Sequence, residues 1–190
     1  MKYDFNYWQF SPENQYLDRK SARKKPSELL KHLIAFANAD GGQLIIGIED
    51  EKQDNIITGF KDGKAYPIDD FKKIDREMRD TPLDLSFEEI PVVNHKGEDD
   101  LILIISVELS SNRVIAAPND EVYLRQGDES VKLSYEQRMQ LSYDKGQRFF
   151  EDEIIEDATL DDIDELLVQD FKDHFDISER STEEILKARR

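Results

Sequence analysis

Residues Leu29–Asp50, LLKHLIAFANADGGQLIIGIED, contain a helical pattern, two glycines and a strand pattern in direct succession, and the other predicted elements are arranged around this unit. Apolar residues before the glycines recur at spacings of three and four, which predicts one buried helix face: Leu29, Leu30, Leu33, Ile34 and Ala37. Proline is tolerated in a first helical turn, so Pro26 predicts a start near Ser27, and Gly41 predicts the end with a positive φ. The apolar run that follows predicts a strand covered on both faces, in which Gly47 indicates a close backbone approach.

The segments on either side of this unit predict an α+β domain with a mixed sheet flanked by helices. Short apolar or alternating runs predict further strands at residues 56–60, 85–93, 101–107, 114–117, 122–125 and 131–133. Helical patterns cover residues 68–79 and 134–147, and Ser134 with Gln137 predicts a capping box for the second of them. The five aromatic residues among the first twelve are expected to pack on the domain.

The composition narrows the classes of protein that this chain can represent. The 190 residues include no cysteine, which excludes disulfides, thiolate metal sites and a cysteine nucleophile. The first residues lack a signal-peptide pattern, and the apolar runs are too short to span a bilayer. We therefore predict a cytoplasmic protein without a membrane segment.

The net charge of −17 is distributed unevenly along the chain. Residues 19–31 carry six basic side chains against Glu28 alone, whereas residues 151–179 carry thirteen acidic side chains against Lys172 alone. This contrast predicts a first domain at residues 1–150 and an acidic helical extension at residues 151–190, leading into a further C-terminal region. A basic run is usually a solvated face, but clustered lysine and arginine also suit phosphate binding.

Three motifs fall in an order that is typical of one known family. Residues 35–38 read Ala-Phe-Ala-Asn and are followed by the glycine pair, the strand and Asp50. Residues 57–60 read Ile-Thr-Gly-Phe, and residues 123–127 read Tyr-Leu-Arg-Gln-Gly. Over about residues 11–143 the chain resembles the Schlafen-type AlbA-like domain, also called the divergent AAA domain. That domain stands at the N-terminus of many proteins described as bacterial transcriptional regulators, with DNA binding and ATP binding attributed to the family.

The resemblance implies a set of candidate catalytic residues. The opening motif of the family is Glu, four residues, then Glu-Phe-Lys, and here Asp18 and Arg19 replace the second Glu and the Phe after Glu13. Some Schlafen proteins cleave RNA with three acidic residues, and these correspond to Glu13, Asp18 and Asp50. Three converging carboxylates would hold Mg²⁺ or Mn²⁺, making the chain a metal-dependent ribonuclease. Alternatively, Asp50 holds a turn while the other two acids are solvated or paired with lysines.

The function that we predict first is a nucleic-acid-binding module, with DNA as the expected target, in a transcriptional regulator. The phosphate contacts would come from basic residues of the cluster and of the late strand motif: Arg19, Lys20, Arg23, Lys24, Lys25 and Arg125. Arg125 has an alternative role, since it could pair with an acid such as Asp50 inside the fold. A ribonuclease and a protein-interaction or homo-oligomerisation module are the two alternatives. The three histidines show no ligand spacing and receive no role.

Overall fold

The computed structural model describes residues 5–50, 54–78, 82–146, 163–182 and 184, and it has the predicted α+β architecture. The helices are α1 (Phe5–Phe10), α2 (Pro26–Asn38), α3 (Ile68–Phe71), α4 (Tyr135–Asp144) and α5 (Glu165–His174), with a 3-10 helix at Ile74–Glu77. The strands are β1 (Leu17–Lys20), β2 (Gly42–Ile46), β3 (Leu85–Val93), β4 (Asp99–Val107), β5 (Tyr123–Gln126) and β6 (Glu129–Lys132). The chain divides into a compact unit of residues 1–150 and a second unit of residues 151–190.

The main sheet is mixed, as predicted, and its strand order is β1-β2-β4-β3. β1 runs parallel to β2, with Asp18 beside Leu44, whereas β4 is antiparallel to both β2 and β3. The parallel pair is possible because α2 forms the crossover between β1 and β2. β5 and β6 form a separate antiparallel hairpin.

The predicted helix and strand of residues 29–50 are confirmed as α2 and β2, and they organise the core. The apolar face of α2 packs with Leu44 and Ile46 in one buried cluster, while Ile45 faces a second cluster that contains Trp8. β2 is therefore covered on both faces. The predicted packing of the N-terminal aromatic residues is confirmed for Trp8, Phe5 and Tyr7, whereas Phe10 is exposed and Tyr3 lies outside the described residues. Gly41 has a φ of +76°, and a Cβ at that position would lie 2.7 Å from the carbonyl oxygen of Val107.

Two predicted strands are not formed, because their backbone groups bond elsewhere. The predicted strand 56–60 is reduced to one bridge between Ile48 and Ile57, since the N–H groups of Thr58 and Gly59 both donate to the carbonyl of Gly47. In the predicted strand 114–117, Ile115 bonds to the side chain of Asn38 instead of to another strand. The predicted helix 68–79 is divided into α3 and the 3-10 helix.

In the unit of residues 151–190, the described part contains the helix α5, whose N-cap residue Asp164 accepts hydrogen bonds from the N–H groups of Leu166 and Leu167. An aspartate at this position satisfies donors that a helix leaves free in its first turn. Across the described part of the chain, no helix combines the length and the apolar character needed to cross a membrane.

The capping box of α4 gives a first testable prediction. Ser134 Oγ accepts from Gln137 N at 3.3 Å, and Ser134 N donates to Gln137 Oε1 at 2.9 Å. Replacing Ser134 by alanine should cost about 1 kcal/mol of the free energy of unfolding, because one N-terminal donor of the helix loses its acceptor. Urea denaturation would measure this, with Ser134→Asp as the control that keeps an acceptor. Equal losses for both variants would contradict the capping role.

Candidate functional site

Asp18 lies at the centre of a cluster of charged side chains on β1. Side chains alternate along a strand, so Asp18 and Lys20 share one face, while Arg19 points to the opposite face. Asp18 is 1% exposed. Its Oδ2 accepts from Arg125 Nη1 at 2.9 Å and lies 3.2 Å from His32 Nδ1, and its Oδ1 accepts from Lys20 Nζ. Both oxygens of this buried carboxylate are therefore compensated by cationic or hydrogen-bonding groups.

These partners determine the ionisation of the cluster. Burial alone would raise the pKa of Asp18, but the hydrogen bond from His32 and the charge of Lys20 together hold it well below its usual range. Burial lowers the pKa of His32, although the contact with Asp18 opposes the shift. A neutral His32 can still donate its Nδ1 hydrogen to Asp18, so the cluster is stable with an ionised aspartate and an uncharged histidine.

The structure brings Glu13 and Asp18, two of the three predicted acids, together. Glu13 Oε1 accepts from the backbone N–H of Arg19 at 2.9 Å. Burial and the neighbouring charge of Asp18 both raise the pKa of Glu13, which is the expected result of placing two carboxylates close to each other.

Asp50 does not complete a metal site with this pair. Among the described residues, no group of three or more histidine, aspartate or glutamate side chains is placed to hold a metal ion. Asp50 Oδ1 is buried without a partner, and the neighbouring acid, Glu49, accepts from Ser21 Oγ at 2.8 Å and from Thr58 Oγ1 at 3.1 Å. Because Asp18 is already compensated by its partners, the residues present do not fit a Mg²⁺ or Mn²⁺ ion in this arrangement.

Arg19 and Arg125, two of the predicted phosphate contacts, lie inside the fold. Arg19 is 0% exposed, and its guanidinium donates to the carbonyl oxygens of Trp8 and Ser11. Arg125 is 2% exposed, donates to Asn14 O at 2.9 Å and lies 4.8 Å from the ring centre of Phe36. Neither guanidinium is available to a phosphate in this structure. For Arg125 the alternative of an internal ion pair is correct, with Asp18 in place of Asp50.

The other predicted contacts lie nearer the surface, and they differ in whether an acidic side chain is bonded to them. Lys20 is bonded to Asp18, and Arg23 Nε donates to Asp62 Oδ2 at 2.7 Å. Lys24 and Lys25 are exposed just before α2. Lys31, which belongs to the basic run of residues 19–31 but was not among the predicted contacts, is exposed in the second turn of that helix. Within the part of the chain that the structure describes, no ion pair involves any of these three lysines.

His32 belongs to the cluster, although the sequence analysis assigns it no role. Its Nδ1 atom also lies 3.0 Å from Ser130 Oγ, a residue 98 positions away in sequence. Ligand spacing along one segment cannot reveal a contact of this kind, because β6 and α2 are brought together only by the complete fold. A histidine beside the apolar face of α2 was the one available signal.

Comparison with known proteins places the chain in a family. The family model described as Schlafen, AlbA_2 matches residues 13–134, which include every described strand of the first unit. The crystal structure of the DIP2311 protein from Corynebacterium diphtheriae is similar, with 22% sequence identity and a TM-score of 0.47. The similarity covers 90% of this chain and 37% of that chain, so this chain spans little more than a third of its length. No match to a curated protein was found.

Proposed function

The chain belongs to the Schlafen AlbA_2 family, and from that membership we propose that it binds nucleic acid through phosphate contacts at the beginning of α2. The family is associated with nucleic acids, which gives the chain a nucleic-acid-related function. The contacts that we propose are made by Lys24, Lys25 and Lys31.

The observation that carries this proposal is the difference between the exposed lysines and the buried arginines. Ammonium groups that face solvent without an acidic partner among the described residues are free to bind phosphate, and they release counterions when they do so. Arg19, Arg125 and Lys20 are already bonded within the fold. Arg23 would have to leave Asp62 before it could contact a phosphate.

We further propose that the nucleic acid is DNA and that the protein acts in transcription regulation. The support for this finer statement is the resemblance of the helix-to-glycine unit to the domain found in bacterial regulators. Phosphate contacts alone do not distinguish DNA from RNA. A direct comparison of DNA and RNA oligonucleotides of equal length and sequence therefore tests this part, and tighter binding of the RNA would contradict it.

The double variant Lys24→Ala/Lys25→Ala should bind a DNA oligonucleotide about tenfold more weakly at low salt. The dependence of log K on log[salt] should also fall by about 0.7–0.9 for each phosphate that is no longer neutralised. Fluorescence anisotropy across a salt series would measure both quantities. Lys73→Ala is the matched control, since Lys73 is an exposed lysine that is not among the proposed contacts. If the double variant and the control bind equally well, the basic surface at the beginning of α2 is not the phosphate site.

The ribonuclease alternative is supported by one observation, the proximity of Glu13 and Asp18. It needs a third ligand that the described residues do not supply in this arrangement. Incubating RNA with the protein and Mn²⁺ distinguishes the two functions: cleavage that stops with EDTA and with Glu13→Gln would favour the nuclease. Binding without cleavage would favour the module that we propose.

A further inference from the structure

A cleft of about 520 Å³ lies beside the proposed phosphate contacts. One wall is the first half of α2, which contributes Ser27, Glu28 and Lys31. The other is the loop before β5, which contributes Pro118, together with the first residue of β5, Tyr123. Lys31 thus belongs to both the basic surface and the cleft. A nucleic acid held by Lys31 would therefore lie next to this opening.

The loop that forms the second wall is held in place by its own hydrogen bonds. Ala117 N donates to Glu121 O at 2.8 Å, and Asp120 N donates to Ala117 O at 2.8 Å. Arg138 of α4 binds the Asp120 carboxylate through Nη1 at 2.8 Å and through Nη2 at 2.9 Å. Because these hydrogen bonds already fix the loop, binding a ligand there would cost little conformational entropy, which favours a ligand site.

The charges around the cleft favour a phosphate chain at its rim. Lys31 lines the opening, and Lys24 and Lys25 stand just before α2. Glu121 also lines the cleft, but it is already bonded to Lys132 Nζ and to the Tyr123 hydroxyl. Glu28 is the acid on this surface that remains opposed to phosphate. Neutralising Glu28 should therefore change binding in the direction opposite to that of removing a lysine.

The size of the cleft indicates what can enter it. A volume of about 520 Å³ is within the range of clefts that bind one small ligand, and the lining of this open cleft includes the apolar side chains of Leu30 and Pro118. Bases in a duplex are stacked and paired, so none can enter such a pocket without being extruded, which costs a few kcal/mol. An unpaired base carries no such cost and offers its flat face to apolar side chains.

We propose that this cleft binds an unpaired nucleotide, so that the protein prefers single-stranded nucleic acid to a duplex of the same sequence. The inference rests on the proposed function, because Lys31 in the cleft lining and the lysines just before α2 must first hold the phosphate chain. It adds a preference that phosphate contacts alone would not produce, since a duplex presents more phosphate charge per unit length than a single strand.

The test compares a fluorescein-labelled 12-nucleotide DNA strand with its blunt duplex, at one low salt concentration, by fluorescence anisotropy. We expect the single strand to bind at least tenfold more tightly to the full chain. Ser27→Trp places bulk in the cleft at an exposed helix position, and it should weaken single-strand binding at least fivefold without changing duplex binding. Glu28→Gln should tighten single-strand binding about twofold. Ser111→Trp, at an exposed position outside this cleft, is the matched control and should leave binding unchanged.

The outcomes separate this inference from the function on which it rests. If neither DNA form binds at low salt, the proposed function fails and the inference fails with it. If both forms bind but the duplex is equal or tighter, nucleic-acid binding stands and the cleft has no role in it. Equal effects of Ser27→Trp and Ser111→Trp on the single strand would also overturn the cleft, whatever the preference between the two DNA forms.

Discussion

Replacing Arg125 by leucine should lower the free energy of unfolding by about 3–5 kcal/mol, because it leaves a buried carboxylate without its guanidinium partner. Asp18 and Arg125 are 1% and 2% exposed, so water cannot take the place of the guanidinium. The variant also removes donors from the carbonyl oxygens of Asn14 and Leu17. Urea denaturation would measure the loss. Arg138→Leu breaks the exposed ion pair with Asp120 and should cost less than about 1 kcal/mol.

The pH dependence of this variant provides a second check. The pKa of Asp18 in the folded protein lies below its value of 3.8 in an unfolded chain, so its ionisation stabilises the fold above that pH. This contribution disappears as the pH falls through the folded-state value. Arg125 Nη1 lies 2.9 Å from Asp18 Oδ2, so the variant removes an attraction that acts on the ionised carboxylate. The difference in stability between the wild type and Arg125→Leu should therefore be full near neutral pH and should narrow in strong acid, where Asp18 becomes protonated. A difference that stays constant from neutral pH into strong acid, or a loss no larger than that of Arg138→Leu, would contradict a buried ion pair.

Replacing Asn38 by leucine should destabilise the fold by about 3 kcal/mol, because three backbone groups, two of them on the buried Ile115, lose the side chain that satisfies them. Asn38 Nδ2 donates to Ile115 O at 2.8 Å and to Tyr123 O at 2.9 Å, and Asn38 Oδ1 accepts from Ile115 N at 2.8 Å. The side chain thus connects the last turn of α2 to the segment of residues 114–117 and to β5.

The control for this prediction is Asn112→Leu. Asn112 is exposed, so its replacement should change the free energy of unfolding by less than about 0.5 kcal/mol. Urea denaturation of both variants would show whether the loss is specific to the buried site. Two equal, small changes would mean that water or a rearranged backbone satisfies the groups that Asn38 now bonds.

The elements that the sequence predicts correctly are those whose structure depends on residues close together in the chain. They include the apolar face of α2, the strand after the glycine pair, the strands at residues 85–93 and 101–107 and the Ser134 capping box. Local periodicity and capping chemistry are sufficient at such sites. The family resemblance likewise rested on the contiguous unit at residues 35–50, which the family match includes.

The arrangement of the candidate site depended on residues that are distant in sequence. The sequence predicts either a phosphate contact or an internal ion pair for Arg125, and it does not identify the partner, because Asp18 on β1 lies 107 positions before Arg125 on β5. Arg19 looked like one member of a basic run, yet strand alternation sends it to the opposite face from Lys20. A count of charges along the chain cannot distinguish a buried guanidinium from an exposed ammonium, because exposure to water depends on how each residue is placed in the folded sheet.

The bonds of Arg125 also have a consequence for the order of folding during synthesis. The groups that they hold, on Asn14, Leu17 and Asp18, precede Arg125 by more than a hundred positions in the chain. Until the ribosome has synthesised residue 125, pairing of β1 with β2 would bury Asp18 without the guanidinium of Arg125. Such long-range closure is slow, so β1 should join the sheet late, after the β5–β6 hairpin has emerged from the ribosome. A nascent chain stalled before residue 125 should consequently expose its N-terminal segment to proteases, even though α2 and β2 are already complete.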